Sequence, residues 1–202
     1  DIPKDIVDPT NPASALDWYW PSDDEVATSL PGYRPAPPID PAAIDRAARM
    51  LLEASRPVLY VGGGVLKARA AEVLRELAEL TDIRVVTTLM ARGAFPDDHP
   101  LCLGMPGMHG NYTAVTAMQR SDLLVALGAR FDDRVTGRVP DFAPEARVVH
   151  VDIDAAELGK VRRPDVPIHG DCRAIISELV GAVRRLRAEG VATPDRGPWN
   201  SS

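Results

Sequence analysis

The chain has 202 residues, 45% of them hydrophobic, and is therefore long enough to bury one substantial core. Its formal net charge of −6 at pH 7 argues against nucleic acid as a partner, because phosphate binding needs a basic face. Its longest apolar runs fall well short of about 18 residues, so the sequence predicts no membrane span.

Residues 1–40 are predicted to form a linker. Nine prolines lie in residues 1–41, and no amphipathic period runs through them. The side chains of Trp18, Tyr19 and Trp20 are expected to pack on a neighbouring surface. Because there is neither an initiator methionine nor a signal-like leader, we expect the chain to begin inside a longer protein.

Beyond the linker, apolar runs typical of strands alternate with segments of helical spacing. Asp40 and Pro41 predict a helix start, with aspartate at the N-cap and proline in the first turn. Further helices are expected after Gly64 with Leu66 on the apolar face, at about 110–120, and after Asp171. Strands are predicted at 57–61, 83–88, 122–127, 147–152 and 166–169, and the stretch 90–106 is predicted to be rich in loops.

This alternation predicts an α/β fold, an open parallel sheet with helices on both faces of the Rossmann-like type. The domain is expected to span 41–188, and 189–202 to be a linker or tail. Right-handed crossovers bring the loops after the strands to one edge of such a sheet, where ligands bind. These loops are 62–67, 88–93, 104–110, 128–137, 152–154 and 170–172.

The turn Gly62-Gly63-Gly64 follows a predicted strand and precedes a helix, a form suited to cradling a diphosphate. A purely structural tight turn is the alternative. A dinucleotide fingerprint for NAD would need a third glycine where Lys67 stands, and an acid near Thr88 at the end of the second strand. The sequence therefore argues against the standard NAD-binding type.

The loop Gly104–Gly110 contains Met108 and His109. Methionine offers a soft apolar surface to a flat ring, and histidine offers a hydrogen-bonding group beside it. A histidine between glycines can equally be a structural residue bonded to the backbone. The other histidines, His99, His150 and His169, are interpreted as structural or exposed.

The loop Gly128–Gly137 places Arg130, Asp132, Asp133 and Arg134 directly after a buried strand, with a glycine at each end. Alternating guanidinium and carboxylate groups beside glycines favour close contact with a ligand over a merely solvated loop.

Three aspartates follow the last two strands. Asp152 can accept hydrogen bonds from ribose or ribityl hydroxyls. Asp154 is better explained as the cap of the turn that follows it, and Asp171 can serve simply as a helix N-cap.

Cys102 and Cys172 are too few for a disulfide framework, which indicates a reducing, cytoplasmic compartment. We also find no metal-ligand spacing and no Ser/His/Asp or Cys/His arrangement, so no metal is predicted.

Several segments, in this order, resemble the catalytic (large) subunit of the acetohydroxyacid synthase, or acetolactate synthase, family. They are Arg56–Gly64, Thr87–Leu89, Gly107–Gly110, Gly128–Gly137, Phe142–Ala146, Asp152–Asp154 and Gly170–Asp171. The resemblance covers roughly residues 1–180, and the opening Asp1–Asp5 resembles the end of the preceding, pyrimidine-binding domain.

The resemblance implies the middle domain of a thiamine-diphosphate enzyme, which binds FAD without a net redox role. The FAD-binding residues implied are Gly62, Gly63, Gly64, Thr88, Leu89, Met108, His109, Gly128, Arg130, Asp132, Arg134, Val135, Asp152, Ile153, Asp171 and Cys172. Lys4, Met108, Asp133 and Arg134 would line the substrate channel.

The family condenses pyruvate with a second 2-ketoacid in branched-chain amino-acid biosynthesis. The resemblance also implies flanking thiamine-binding domains, a homodimer of the full-length subunit, a small regulatory subunit and a bacterial source. Thiamine diphosphate and Mg²⁺ would be bound outside this chain, which has no Gly-Asp-Gly…Asn motif and lacks the first domain's glutamate. The fragment alone is therefore expected to be inactive.

Two alternatives remain at this point. One is an NAD-dependent deacylase or a transhydrogenase-like nucleotide-binding domain, against which the missing third glycine counts. The other is a scaffold domain that has lost its cofactor, against which Arg130, Asp132 and Arg134 count.

Overall fold

The computed structural model describes Ser22 and residues 38–200. The helices are α1 (Pro41–Glu53), α2 (Gly63–Lys67), α3 (Ala71–Thr81), α4 (Tyr112–Arg120), α5 (Asp133–Thr136), α6 (Cys172–Ala188) and α7 (Gly197–Asn200). The strands are β1 (Pro57–Val61), β2 (Arg84–Thr87), β3 (Cys102–Gly104), β4 (Leu123–Leu127), β5 (Arg147–Asp152) and β6 (Val166–His169). Short 3₁₀ turns lie at Leu89–Ala91 and Val139–Asp141.

The six strands form one sheet in the order β3-β2-β1-β4-β5-β6, and every pairing is parallel. This is a Rossmann-type order, which reverses between β1 and β4 and leaves a crevice outside the carboxyl ends there. The predicted fold class is confirmed. All loops that follow strands therefore lie at one edge of the sheet, called the carboxyl edge below.

Both faces of the sheet are covered. Alternate residues of β1, Leu59 and Val61, pack with α1, α3 and α6 in the larger cluster. Their neighbours Val58 and Tyr60 point to the opposite face, which α4 and Phe131 cover. A strand buried on both faces explains why the predicted strands appeared as continuous apolar runs.

The predicted helix starts are confirmed. The Asp40 carboxylate accepts from the Ala42 N–H at 2.9 Å, and Pro41 occupies the first turn of α1. The Asp171 carboxylate accepts from the N–H groups of Arg173 and Ala174, at 2.9 and 3.2 Å, and so caps α6. Each cap satisfies backbone donors that the first turn of a helix leaves without an intrahelical acceptor.

Two details differ from the predictions. The stretch 90–106, predicted to be rich in loops, contains β3, a strand of three half-buried residues without an apolar run. The helix predicted after Gly64 is two helices, because the chain turns through Arg69 at a φ of 53°. Leu66 is consequently 40% exposed and does not belong to the buried stripe.

The segment 189–202, predicted as a linker or tail, contains a buried arginine. The Arg196 guanidinium donates to the carbonyls of Ala54 and Thr81, at 3.0 and 2.6 Å, and also to those of Leu51 and Leu52. These carbonyls lie at the carboxyl ends of α1 and α3, where a helix presents its negative end. Arg196 thus ties the end of the described chain to the domain.

Candidate functional site

The loop after β1 and the loop after β4 are in direct contact. The N–H groups of Gly62 and Gly64 donate to the carbonyls of Leu127 and Gly128, at 2.9 and 3.1 Å. A Cβ on Gly62 would lie 2.1 Å from the Gly128 carbonyl oxygen, and one on Gly64 would lie 2.7 Å from the Gly128 Cα. Loop packing therefore accounts for these two glycines, which the sequence analysis had linked to a diphosphate.

Other loops of the carboxyl edge also adjoin. A Cβ on Gly63 would lie 3.3 Å from the Met90 side chain, and one on Gly107 would lie 3.0 Å from the Arg134 carbonyl oxygen. The second contact joins the loop 104–110, called the methionine loop, to the loop 128–137, called the arginine loop. The structure thus brings together two of the segments that carried the family resemblance.

The arginine loop exposes its charges to solvent. Arg130, Asp132, Asp133 and Arg134 are all exposed, and the Asp133–Arg134 ion pair is a loose 3.9 Å. The Asp132 carboxylate accepts from the Arg134 N–H at 3.2 Å and caps the short helix α5. Asp132 therefore has a structural task that sequence reasoning missed, and the charged side chains beside it are available to a ligand.

Beneath these exposed charges, Phe131 is buried in an aromatic cluster. Its ring centroid lies 5.8 Å from that of Tyr60, 5.2 Å from that of His150 and 6.3 Å from that of Phe142. Edge-to-face and tilted ring pairs of this kind stabilise a fold by more than the burial of their apolar area alone. The arginine loop is therefore anchored through Phe131 while the residues on either side of it face solvent.

Two polar side chains of this cluster bond to the arginine loop. The Tyr60 hydroxyl donates to the Arg130 carbonyl at 3.0 Å, and His150 Nε2 lies 3.0 Å from the Ala129 carbonyl oxygen. Because a carbonyl can only accept, Nε2 carries the proton. Burial raises the pKa of Tyr60 and lowers that of His150, so both side chains are neutral at pH 7.

Sequence reasoning missed Tyr60, although a hydroxyl within an otherwise aliphatic buried strand was an available signal. His150, interpreted as structural or exposed, is buried.

Large apolar side chains are exposed along the carboxyl edge. Leu89, Met90, Met108 and Ile153, with exposures from 58% to 75%, follow the ends of β2, β3 and β5. Tyr112, at the start of α4, is 83% exposed. Such apolar residues gathered on one edge, beside exposed guanidinium groups, are typical of a surface that a ligand or another domain covers.

The aspartates near β5 and β6 are already engaged within the protein. Asp152 is buried, and its Oδ1 accepts from the Asp154 N–H at 2.9 Å. Asp154 accepts from the Ala156 N–H at 2.9 Å, as expected for a turn cap. His169 Nε2 donates to the Ile153 carbonyl at 3.0 Å and so helps to hold the loop after β5.

Cys172 lies beneath the arginine loop. A Cβ on Gly128 would lie 2.9 Å from the Cys172 sulfur, and burial raises the pKa of this thiol to about 12. The side chain is therefore a neutral packing group at pH 7.

The remaining candidates are distributed as follows. Thr88 and Val135 are half-buried at the carboxyl edge, and His109 is exposed beside Met108. Lys4 lies outside the described residues. Within the described part of the chain, no group of three or more His, Cys, Asp or Glu side chains could hold a metal ion. The same part contains no helix long and apolar enough to cross a membrane.

Comparisons with known proteins agree on one family. The family described as "Thiamine pyrophosphate enzyme, central domain" matches residues 44–179. An acetolactate synthase of Mycobacterium bovis is 55% identical over 199 residues, 98% of this chain and 30% of that protein. The acetolactate synthase large subunit of Corynebacterium glutamicum is 51% identical over 199 residues, which are also 98% of this chain and 30% of that protein.

A more distant relative, a probable acetolactate synthase large subunit of Methanocaldococcus jannaschii, is 48% identical over 164 residues. These are 81% of this chain and 28% of that protein. The chain thus spans about 30% of the length of the curated relatives that it matches most extensively.

Proposed function

This chain belongs to the family of thiamine pyrophosphate enzyme central domains, and on that premise we propose that it is the FAD-binding central domain of an acetolactate synthase large subunit. The family match covers most of the fold, and the relatives carry the name acetolactate synthase from bacteria to an archaeon. The proposal adds a ligand and an activity to this family membership.

The observation that best supports FAD as the ligand is that an apolar surface and a group of arginines lie together at the carboxyl edge. Exposed Leu89, Met90 and Met108 offer an apolar surface to a flat ring. Exposed Arg130 and Arg134 offer guanidinium groups to an anionic chain, and the methionine loop touches the arginine loop at Gly107. FAD combines an apolar ring system with a diphosphate, so the residues present fit it.

Each part of FAD has candidate partners in this chain. We assign the flavin to Leu89, Met108 and His109, and hydroxyl groups of the ligand to Asp152. The adenine end is assigned to Asp171, which follows β6, the strand next to β5. The diphosphate is assigned to Arg130 and Arg134, with further contacts from the backbone around Gly63. The remaining proposed contacts are Gly62, Gly64, Thr88, Gly128, Asp132, Val135, Ile153 and Cys172. When bound, FAD supplies a redox-active ring, which this family holds without a net redox change.

The whole protein is proposed to decarboxylate pyruvate and join the two-carbon unit to a second 2-ketoacid, as in branched-chain amino-acid synthesis. Thiamine diphosphate and Mg²⁺ are assigned to flanking domains outside this chain. Lys4, Met108, Asp133 and Arg134 are proposed to line the channel for substrate. A homodimer, a small regulatory subunit and a cytoplasmic location complete the proposal; the free thiols of Cys102 and Cys172 suit a reducing compartment.

An NAD-binding site is not favoured. The end of β2 presents half-buried Thr88 where an acid would hold a ribose, and Lys67 replaces the third glycine of the fingerprint. A scaffold without cofactor is not favoured either, because the charged side chains of Arg130, Asp132 and Arg134 are exposed together in one loop, which suits an anionic ligand better than contact with another domain alone.

FAD and NAD titrations of the 202-residue chain, followed by quenching of FAD fluorescence and by calorimetry, test the proposal. We expect FAD to bind in preference to NAD. Arg130→Ala should weaken FAD binding about 10- to 100-fold, the equivalent of losing about 1.5–3 kcal/mol of charge-assisted hydrogen bonding.

Arg147→Ala is the matched control, because Arg147 is an exposed arginine that begins β5 at the opposite edge of the sheet. This variant should bind FAD as the unaltered chain does. Binding of NAD without FAD, or equal losses in the two variants, would contradict the proposed site.

A further inference from the structure

The two peptide groups that flank the Cα of Arg130 are each held by a buried donor. The carbonyl before it, on Ala129, accepts from His150 Nε2 at 3.0 Å. The carbonyl after it, on Arg130 itself, accepts from the Tyr60 hydroxyl at 3.0 Å. His150 comes from β5 and Tyr60 from β1, the two strands on either side of β4, which leads into the arginine loop.

Holding both carbonyls restricts the backbone at Arg130 and so sets the direction in which its side chain leaves the loop. A peptide group is planar, so orienting the two planes that meet at one Cα sets both backbone dihedrals there. The direction of the Cα–Cβ bond follows from these dihedrals. Arg130 itself is exposed, so its own side chain contributes little to this ordering.

The neighbouring residues reinforce this arrangement. Ala129 and Phe131 are buried while Arg130 and Asp132 are exposed, so alternate residues of the segment point inward and outward. Phe131 packs against the rings of both Tyr60 and His150. The two donors therefore belong to one cluster that supports the loop from below.

We propose that Tyr60 and His150 are positioning residues, which orient Arg130 toward the anionic part of the ligand without touching the ligand themselves. This rests on the proposed binding of FAD. Preorganisation of this kind lowers the cost of ordering the arginine loop when the ligand binds.

The first test compares Tyr60→Phe with Thr81→Val in the 202-residue chain. Tyr60→Phe keeps the ring and removes the hydroxyl. Thr81→Val removes another buried hydroxyl, which donates to the Leu77 carbonyl at 2.6 Å at the end of α3. Both variants lose one buried hydrogen bond, so both should lower the melting temperature to a similar degree.

We expect only Tyr60→Phe to weaken FAD binding, by about 3- to 10-fold, the range of one neutral hydrogen bond. In the protein without FAD, hydrogen exchange of the amides of residues 130–136 should be faster in Tyr60→Phe and unchanged in Thr81→Val. The exchange measurement needs no ligand, so it tests the positioning role separately from the proposed function.

A second pair of variants tests His150. His150→Gln keeps a nitrogen donor close to the place of Nε2, whereas His150→Phe keeps a ring without a donor. We expect His150→Gln to retain slow exchange in the loop and near-normal FAD affinity, and His150→Phe to lose both.

The outcomes separate the two ideas. An unaltered chain that binds no FAD, with fast loop exchange still confined to Tyr60→Phe and His150→Phe, would defeat the proposed ligand and keep the loop ordering. Unchanged exchange and affinity in both of these variants would overturn the inference. Equal losses of affinity in Thr81→Val would also overturn it, because general destabilisation would then be the cause.

Discussion

At the scale of single residues, Gly62, Gly64 and Gly128 meet where two loops cross. Only Gly128 has a positive φ, of 56°, so the other two are not required by backbone conformation. They are required by space, since a Cβ on either would overlap the backbone of the neighbouring loop. Gly181, on the exposed face of α6, is different because nothing lies within 4 Å of its Cβ position.

Alanine at these positions should therefore act in opposite directions. Gly62→Ala places a methyl group 2.1 Å from the Gly128 carbonyl oxygen. The substitution should lower the free energy of unfolding by about 1–3 kcal/mol or more. Gly181→Ala should raise it by about 0.5–1 kcal/mol, because alanine favours a helix interior. Urea unfolding of both variants measures this, and a stable Gly62→Ala protein would show that the two loops separate easily.

At the scale of elements, the strands buried on both faces could be predicted because their sequences are nearly continuous in Val, Leu and Ile. β3 could not, because Cys102–Gly104 is too short for any period to show. The break between α2 and α3 was equally hidden. It depends on Arg69 adopting a left-handed conformation, which nothing in an apolar stripe indicates.

The candidate site likewise has features that could be predicted from the sequence and features that could not. The parallel order of strands places the strand-end loops at one edge, so the gathering of exposed charges there could be predicted. The hydrogen bonds that Tyr60 and His150 make to two consecutive carbonyls join residues that are 70 and 21 positions apart along the chain. No local sequence pattern predicts contacts between residues so far apart.

Arg196 shows how one side chain can connect elements. It donates to carbonyls at the carboxyl ends of both α1 and α3. Arg196→Ala should lower the free energy of unfolding by on the order of 2–4 kcal/mol, because several buried carbonyls lose a charged donor together.

Arg163→Ala, at an exposed arginine, is the control and should change stability by less than about 0.5 kcal/mol. Thermal and urea unfolding of the two variants test this. Equal stabilities would mean that the bonds of the Arg196 guanidinium add little to the stability of the domain.

At the scale of the whole molecule, the faces of the sheet form the core and its carboxyl edge carries the proposed ligand site. The two clusters of buried apolar residues include side chains of the sheet and of the flanking helices, while the proposed ligand contacts lie at the carboxyl edge. The chain corresponds to about 30% of the length of its relatives. Under the proposed function, the chemistry of the whole enzyme belongs to the parts of the relatives that this chain does not match.

We therefore expect the 202-residue chain alone to make no acetolactate from pyruvate, even with FAD, thiamine diphosphate and Mg²⁺ supplied. Without residues that fix the geometry of thiamine diphosphate and exclude water, the free cofactor is a poor catalyst. A colorimetric acetoin assay after acidification, with a full-length acetolactate synthase as positive control, measures this. Product above the blank without protein would place catalytic residues in this chain.

The contact between Gly62, Gly64 and Gly128 also bears on how a ligand enters. Two hydrogen bonds and direct backbone contact join these loops at the point where the strand order reverses. The centre of the crevice therefore cannot widen without breaking them. The proposed dinucleotide would therefore lie over the joined loops rather than between them, where the exposed side chains after β2, β3 and β5 already face solvent.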